Sequence, residues 1–332
     1  MDATVETAHG EKCLYPRIQE LMESRGYAVI PQFETFSPLT GRKRKLDLLG
    51  FRWIGNGDLD AWAIEGKQGV SPADTLLALG QAIEYQLYVP RVSVAAEVPR
   101  ENLAYAEGPL RQLGLGYIHA TPTSATEIIS PALSPRCYQN EFNEVIRHAG
   151  VLCLLGRERW KKENRREHHH GGDKAAGAAG YPFYVIHNND PVQYDLTATG
   201  QSKEVRIKVW IESKKALTGI YHEIEAGLLA EHLGKLGADA TTSISIYERD
   251  HFRRLRNCEG PRQLPPDKAG IAKALVGARA ALRKNRIVPV ISVALELWAW
   301  DATPRRAEAE NAVEQAVKRL EPIRMYLAAM VS

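Results

Sequence analysis

No run of 18 or more apolar residues occurs anywhere in this chain of 332 residues, which argues against a transmembrane helix. The first ten residues, Met1 to Gly10, are polar and lack the basic start and apolar run of a secretory signal. Cysteine is scarce. Cys13, Cys137, Cys153 and Cys258 include no CxxC pair, which disfavours a zinc knuckle or a thioredoxin-like site and fits a reducing cytoplasm. There is also no Gly-rich phosphate loop and no nucleophile elbow, so a small-molecule α/β enzyme built on either device is disfavoured. Excess charge is lacking too: 43 Lys and Arg against 40 Asp and Glu leave +3, too little to imply a polyanionic partner by itself.

The distribution of charge says more than its sum. Residues 1–150 carry 14 basic and 18 acidic side chains, and residues 151–332 carry 29 and 22. An acidic half beside a basic one suits a carboxylate-rich site next to a phosphate-binding surface, although ordinary variation between domains gives the same numbers. The length predicts two domains. Composition places them at 1–150 and 181–332, with a basic and then Gly/Ala-rich linker at 151–180. The tract His168, His169, His170 lies within that linker and reads as flexible rather than as a metal site.

In the first half, Leu14, Tyr15, Ile18, Leu21 and Met22 fall at helical spacing within residues 11–25, and Gly26 ends that helix. Strands are predicted at Tyr27–Phe36, Leu46–Ile54 and Ala61–Lys67. The basic run Arg42, Lys43, Arg44, Lys45 sits in one intervening turn and Gly55–Asp58 in the other. A helix from Pro72 to about Val89 follows, then a strand at Arg91–Val98, a helix at Glu101–Leu113 and a short strand at Leu115–Ala120. The order α-β-β-β-α-β-α-β implies a mixed sheet with at least one parallel pair and helices on both faces. After a Pro-bearing loop, a helix is predicted near Asn140–His148. The second half reads as another α/β unit, with strands near Phe183–His187, Glu204–Glu212, Ser243–Glu248 and Val288–Trp300, and long helices at Lys215–Leu236, Asp267–Lys284 and Arg305–Met330.

Chemistry concentrates at Asp47, Glu65 and Lys67. Side chains two apart on a strand point the same way, so Glu65 and Lys67 share a face while Trp62 and Ile64 take the other. Pairing across the Gly55–Asp58 turn brings Asp47 near Glu65. Two close carboxylates repel and call for a cation. Mg²⁺ commonly takes one or two carboxylates and completes its shell with water and substrate phosphate. A lysine beside it can orient the attacking water or offset charge on phosphorus oxygens. A lone Glu-x-Lys is near chance, since 28 Glu and 16 Lys give roughly one at ordinary usage, and Glu212-Ser213-Lys214 is a second. Glu11 lies on the apolar side of the first helix, where it wants a metal or partner, although a first-turn glutamate also suits the helix dipole. Gln81 and Tyr85, one turn apart, share a polar face distinct from a Leu76, Leu79, Ile83, Leu87 stripe.

Asp47…Glu65-Gly66-Lys67 resembles the PD-(D/E)XK motif of restriction-endonuclease-like nucleases. The Glu11 helix is similar to that superfamily's first helix, and Gln81-Ala82-Ile83-Glu84-Tyr85 resembles the QxxxY motif of RecB-type members. The resemblance covers roughly residues 11–120, with Leu46 where the family motif has proline. It implies the restriction-endonuclease-like fold, a metal set of Asp47, Glu65 and Glu11 binding Mg²⁺ (or Mn²⁺), catalytic roles for Lys67 and Gln81, and hydrolysis of DNA more often than RNA. Tyr85 and the basic run Arg42–Lys45 are candidate contacts to the substrate backbone. Cutting both strands of a duplex would call for a homodimer. The alternative from the same residues is a nucleic-acid-binding or regulatory protein that kept the fold and lost catalysis.

Arg157, Arg159, Lys161, Lys162, Arg165 and Arg166, with Trp160 among them, form a candidate nucleic-acid patch in which the aromatic can stack on a base. Asp195 precedes Glu212 by nearly the spacing of Asp47 to Glu65, which admits an internal duplication.

Overall fold

The computed structural model describes residues 13–37, 39–40, 42–67, 72–98, 106–134, 141–170, 183–200, 203–211, 226–236, 240–248, 262–263, 269–270, 272–273, 276 and 287–330. The chain divides into two compact units, Met1–Gly150 and Val151–Ser332.

The first unit runs α1 (Tyr15–Ser24), β1 (Ala28–Phe36), β2 (Lys43–Trp53), β3 (Leu59–Lys67), α2 (Pro72–Tyr85), β4 (Arg91–Ala96), α3 (Glu107–Gln112), β5 (Gly116–Ala120) and β6 (Ala125–Ile129). One mixed sheet takes these six strands in sequence order. β1–β2, β2–β3 and β5–β6 are antiparallel, and β3–β4 and β4–β5 are parallel. The parallel pairs follow from the crossover helices α2 and α3, because a strand can return in the same direction only through a long connection. β1 is an edge strand, which is why Pro31 is tolerated within it. The β2–β3 hairpin closes at Ile54–Asp58, where Gly57 adopts φ +82° and donates its N–H to the Ile54 carbonyl.

α1 covers one face of this sheet. Leu14, Ile18 and Met22, at a spacing of four, are fully buried against Leu48, Trp62, Ile64 and Ile118. Each such side chain contributes roughly 1.5–3 kcal/mol through removal of apolar surface from water. α2 packs against β3 and β4, burying Ala78, Ala82 and Tyr85. The buried stripe of α2 is therefore not the predicted Leu79–Ile83–Leu87 stripe, which is only half-buried. Small residues at Ala78 and Ala82 let the helix approach the sheet.

The second unit holds β7 (Arg165–His170), β8 (Phe183–Asn188), β9 (Val192–Thr199), β10 (Glu204–Ile211), α5 (Ala226–Gly234), β11 (Ala240–Glu248), β12 (Arg262–Gln263), β13 (Ile287–Trp298) and α6 (Arg306–Ala329). Its sheet has the order β12-β11-β13-β10-β9-β8-β7, with every registered pair antiparallel. α6 buries Ala309, Val313, Ala316, Leu320, Ile323 and Leu327 and packs on β9, β10 and β13. No helix among the described residues is long and apolar enough to cross a membrane.

Several predicted elements are corrected. Residues 156–170 are not linker: α4 runs Glu141–Arg159, a 3-10 turn follows at Lys162–Asn164, and β7 pairs with β8. The His168–His170 tract is thus part of a strand, and the His168 ring stacks on His187 with centroids 5.4 Å apart. The basic run is mostly strand, since β2 begins at Lys43. β6 and β9 were not expected at all. Most of the predicted Asp267–Lys284 helix lies outside the described residues.

Candidate active site

β2 and β3 pair with Leu48 opposite Ile64. Carried one residue on, that register sets Asp47 across from Glu65, as the hairpin requires. Alternation along β3 then divides its side chains. Trp62 and Ile64 enter the α1 core, and Glu65 and Lys67 leave on the α2 side, where Tyr85 meets Glu65.

Glu65 is 1% exposed. Its Oε1 lies 2.7 Å from Lys67 Nζ, and its Oε2 accepts from the Tyr85 hydroxyl at 2.8 Å. Burial and then the charge of Asp47 push the Glu65 carboxyl up to about 7, against the opposing pull of Lys67 and Tyr85. The Tyr85 phenol is raised far above its ordinary range by burial and by Glu65, so it remains a donor. That hydroxyl also lies 3.0 Å from the Lys45 carbonyl oxygen, which ties α2 to both β2 and β3. Asp47 is fixed from two sides: Oδ2 accepts from the Gly66 N–H at 3.0 Å and Oδ1 from Gln32 Nε2 at 3.2 Å. One helical turn before Tyr85, the Gln81 Oε1 is buried and has no hydrogen-bond partner among the described residues.

The site therefore unites Asp47, Glu65, Lys67 and Tyr85, with Gln81 on the helix that carries Tyr85. Glu11 lies outside the described residues. Tyr85, expected as a substrate contact, is 1% exposed, with its hydroxyl on Glu65 and near the Lys45 carbonyl. The basic run is partly consumed by the fold: Lys43 Nζ lies 2.7 Å from Glu34 Oε2, and Arg44 Nε donates to Glu84 Oε2 at 3.0 Å. Arg42 and Lys45 remain exposed. In the second unit, Arg157 makes two 2.8 Å bonds to Glu167, and Arg165 Nε lies 3.3 Å from the same carboxylate. Those two arginines brace β7, whereas Arg159, Lys161, Lys162 and Arg166 are exposed.

Two contributors escaped the sequence reading. Gln32 sits in mid-strand at φ +55°, a left-handed conformation unusual for a non-glycine residue, and its amide reaches Asp47. Tyr15, from α1, lies against Gly66 so closely that a Cβ there would come within 2.7 Å of Tyr15 Cε1. A side chain at the middle residue of Glu65-Gly66-Lys67 would therefore require the Tyr15 ring to shift. Pro31 flags an edge or irregularity in β1, but neither contact has a local sequence signal.

Glu212 and Lys214 lie outside the described residues, and Asp195 on β9 is buried with Lys208 Nζ 3.2 Å from its Oδ2. Antiparallel pairing throughout the second sheet also differs from the parallel pairs that follow β3. Among the described residues no group of three or more His, Cys, Asp or Glu side chains is arranged to hold a metal ion.

Comparison with family models, with curated proteins and with solved structures finds no match.

Proposed function

We propose that the first unit is a restriction-endonuclease-like, Mg²⁺-dependent nuclease that hydrolyses phosphodiester bonds of DNA. The observation that carries this reading is the Glu65 carboxylate. It is buried beside a second carboxylate and a lysine, an arrangement costly for a fold to keep without a use for the charge.

The donor set fits a hard cation. Asp47 and Glu65 offer carboxylate oxygens only, and Mg²⁺ or Mn²⁺ would complete its shell with water and substrate phosphate; Glu11 is a candidate third oxygen donor. When bound, the ion polarises the scissile phosphate and lowers the pKa of a bound water. The chain's own residues prepare the rest. Gly66 N–H and Gln32 hold Asp47, and Tyr85 holds Glu65. The Lys67 ammonium offsets charge building on the phosphate oxygens and orients the attacking water. Gln81 Oε1, buried without a donor among the described residues, would accept from that water or from the nucleotide. The preference for DNA rests on the resemblance alone, and the basic second unit suits guidance of substrate or assembly of a homodimer.

One observation favours the alternative of a fold that lost catalysis: each oxygen of Asp47 and Glu65 already has a protein partner. Metal uptake separates the two. The nuclease reading expects Mg²⁺ or Mn²⁺ to bind in calorimetry in an Asp47-dependent way and single- or double-stranded DNA to be cut, with Glu65→Ala and Lys67→Ala inactive. Absence of metal uptake, or intact DNA and RNA under all these conditions, would overturn it.

A further inference from the structure

A second polar cluster in the first unit lies apart from this site. Asp60 stands at the opposite end of β3 from Glu65, five residues or roughly 17 Å away along the strand, and on the other sheet face. Asp60 is 3% exposed and gathers three donors: Tyr27 OH at 2.8 Å, Arg91 Nε at 3.0 Å and Arg52 through Nη2 at 3.1 Å and Nε at 3.2 Å. Next to it opens a recess of about 200 Å³ walled by Arg25, Arg52, Arg91, Tyr27, Trp62 and Ser130.

The carboxylate needs fewer donors than the recess supplies. Asp60 takes the Nε edge of both Arg52 and Arg91, which fixes the planes of the two guanidiniums. Arg52 is held further by its own Nη1 bond to the Arg25 carbonyl and by stacking over the Tyr27 ring at 4.4 Å. Arg91 Nη1 donates to the Pro131 carbonyl, and Arg91 Nη2 makes no hydrogen bond among the described residues. Arg25 closes the rim, paired through Nη2 with Glu127 Oε2 at 3.2 Å. Three guanidiniums thus face two carboxylates, leaving one positive charge unmatched in a concave, half-buried space. Arginine forks held at fixed angles from several directions suit a tetrahedral oxyanion better than a flat carboxylate, which a single fork would satisfy.

We propose that this recess is a binding site for a phosphate group, either free phosphate or a phosphomonoester at the end of a nucleic-acid strand. It requires no metal and does not depend on the nuclease reading. Asp60 acts as a buried anchor that orients Arg52 and Arg91, Arg25 supplies the half-exposed rim cation, and Glu127 competes with the ligand for Arg25.

Calorimetric titration of the full chain with inorganic phosphate, at low ionic strength and with chelator present, tests this. Trinucleotides with and without a 5′-phosphate form the second arm. Arg25 is half-exposed, so Arg25→Gln should fold normally and weaken phosphate binding about tenfold, the loss of one charge-assisted contact. Glu127→Gln should tighten it several-fold by releasing Arg25, an opposite response that a purely structural ion-pair network would not give. Lys67→Ala should leave binding unchanged. A phosphorylated trinucleotide binding more tightly than phosphate supports the site and marks a strand end as the source. Equal affinities support it and mark free phosphate. No binding of either, binding indifferent to both rim substitutions, or loss of binding in Lys67→Ala would overturn it.

Discussion

Replacing Glu65 by glutamine keeps the side chain's size and an acceptor for Tyr85 while removing a charge that the metal-free fold holds at a cost. The carboxyl titrates near 4.5 in an unfolded chain and at about 7 in the folded one. The folded state therefore binds more protons between about pH 4.5 and 7, and stability falls as pH rises through that window. The full cost is present above pH 7. A shift of this size corresponds to about 3 kcal/mol. Glu65→Gln has no such titration, so the stability of the variant relative to the parent should rise by about 3 kcal/mol between pH 4 and pH 8. The new amide beside Lys67 Nζ adds a penalty that lowers the whole curve, so the rise with pH rather than its starting level is the measure. Urea unfolding followed by circular dichroism, with chelator present and at a series of pH values, measures the curve. Excess Mg²⁺ should then restore much of the parent's deficit, about 2.7 kcal/mol at a hundredfold excess over its dissociation constant, and leave the variant unmoved. A stability difference that stays flat between pH 5 and 8 would refute the reasoning, because it would mean that Glu65 is not held as a destabilised carboxylate.

Three further outcomes are expected. Tyr85→Phe removes the hydroxyl that donates to Glu65 Oε2 and should move the Glu65 carboxyl higher still, so the acid limb of a pH–rate profile for DNA cleavage should shift to higher pH. Gly66→Ala should cost about 1–3 kcal/mol in chemical denaturation, because its Cβ would meet the Tyr15 ring; combining it with Tyr15→Ala should cost less than the sum of the two single changes. Gln32→Gly relieves a left-handed backbone, so stability should hold or rise by about 1 kcal/mol, while Mg²⁺ affinity measured by calorimetry should fall because Asp47 loses a donor; a parallel loss of both would mean that Gln32 serves the fold alone.

What the sequence reveals and what it hides follow from the range of the interactions involved. The Asp47, Glu65 and Lys67 set was readable because strand alternation and a tight hairpin are local rules: Gly57 turns the chain and the two-residue repeat does the rest. The parallel β3–β4 pair was readable for a similar reason, since a helix between two strands leaves few ways back. β7 was hidden because Arg165-Arg166-Glu167-His168-His169-His170 is polar on both faces, so no apolar alternation marks it; its strand character comes from pairing with β8 and from the Arg157–Glu167 bridge. β2 was shortened for a related reason, as the charges of Lys43 and Arg44 suggest a solvated turn until Glu34 and Glu84 arrive across the sheet and from α2 to match them. The supports of the site were beyond reach altogether. Glycine at the middle of Glu65-Gly66-Lys67 is formally a free position in the motif, yet the ring of Tyr15, brought from the first helix, leaves a side chain there no room unless that ring shifts. Gln32 likewise turns out of an ordinary strand conformation to meet Asp47. Motif residues mark where chemistry can occur, and the distant residues that hold them still are set by how helix and sheet layers pack, which no short window of sequence contains.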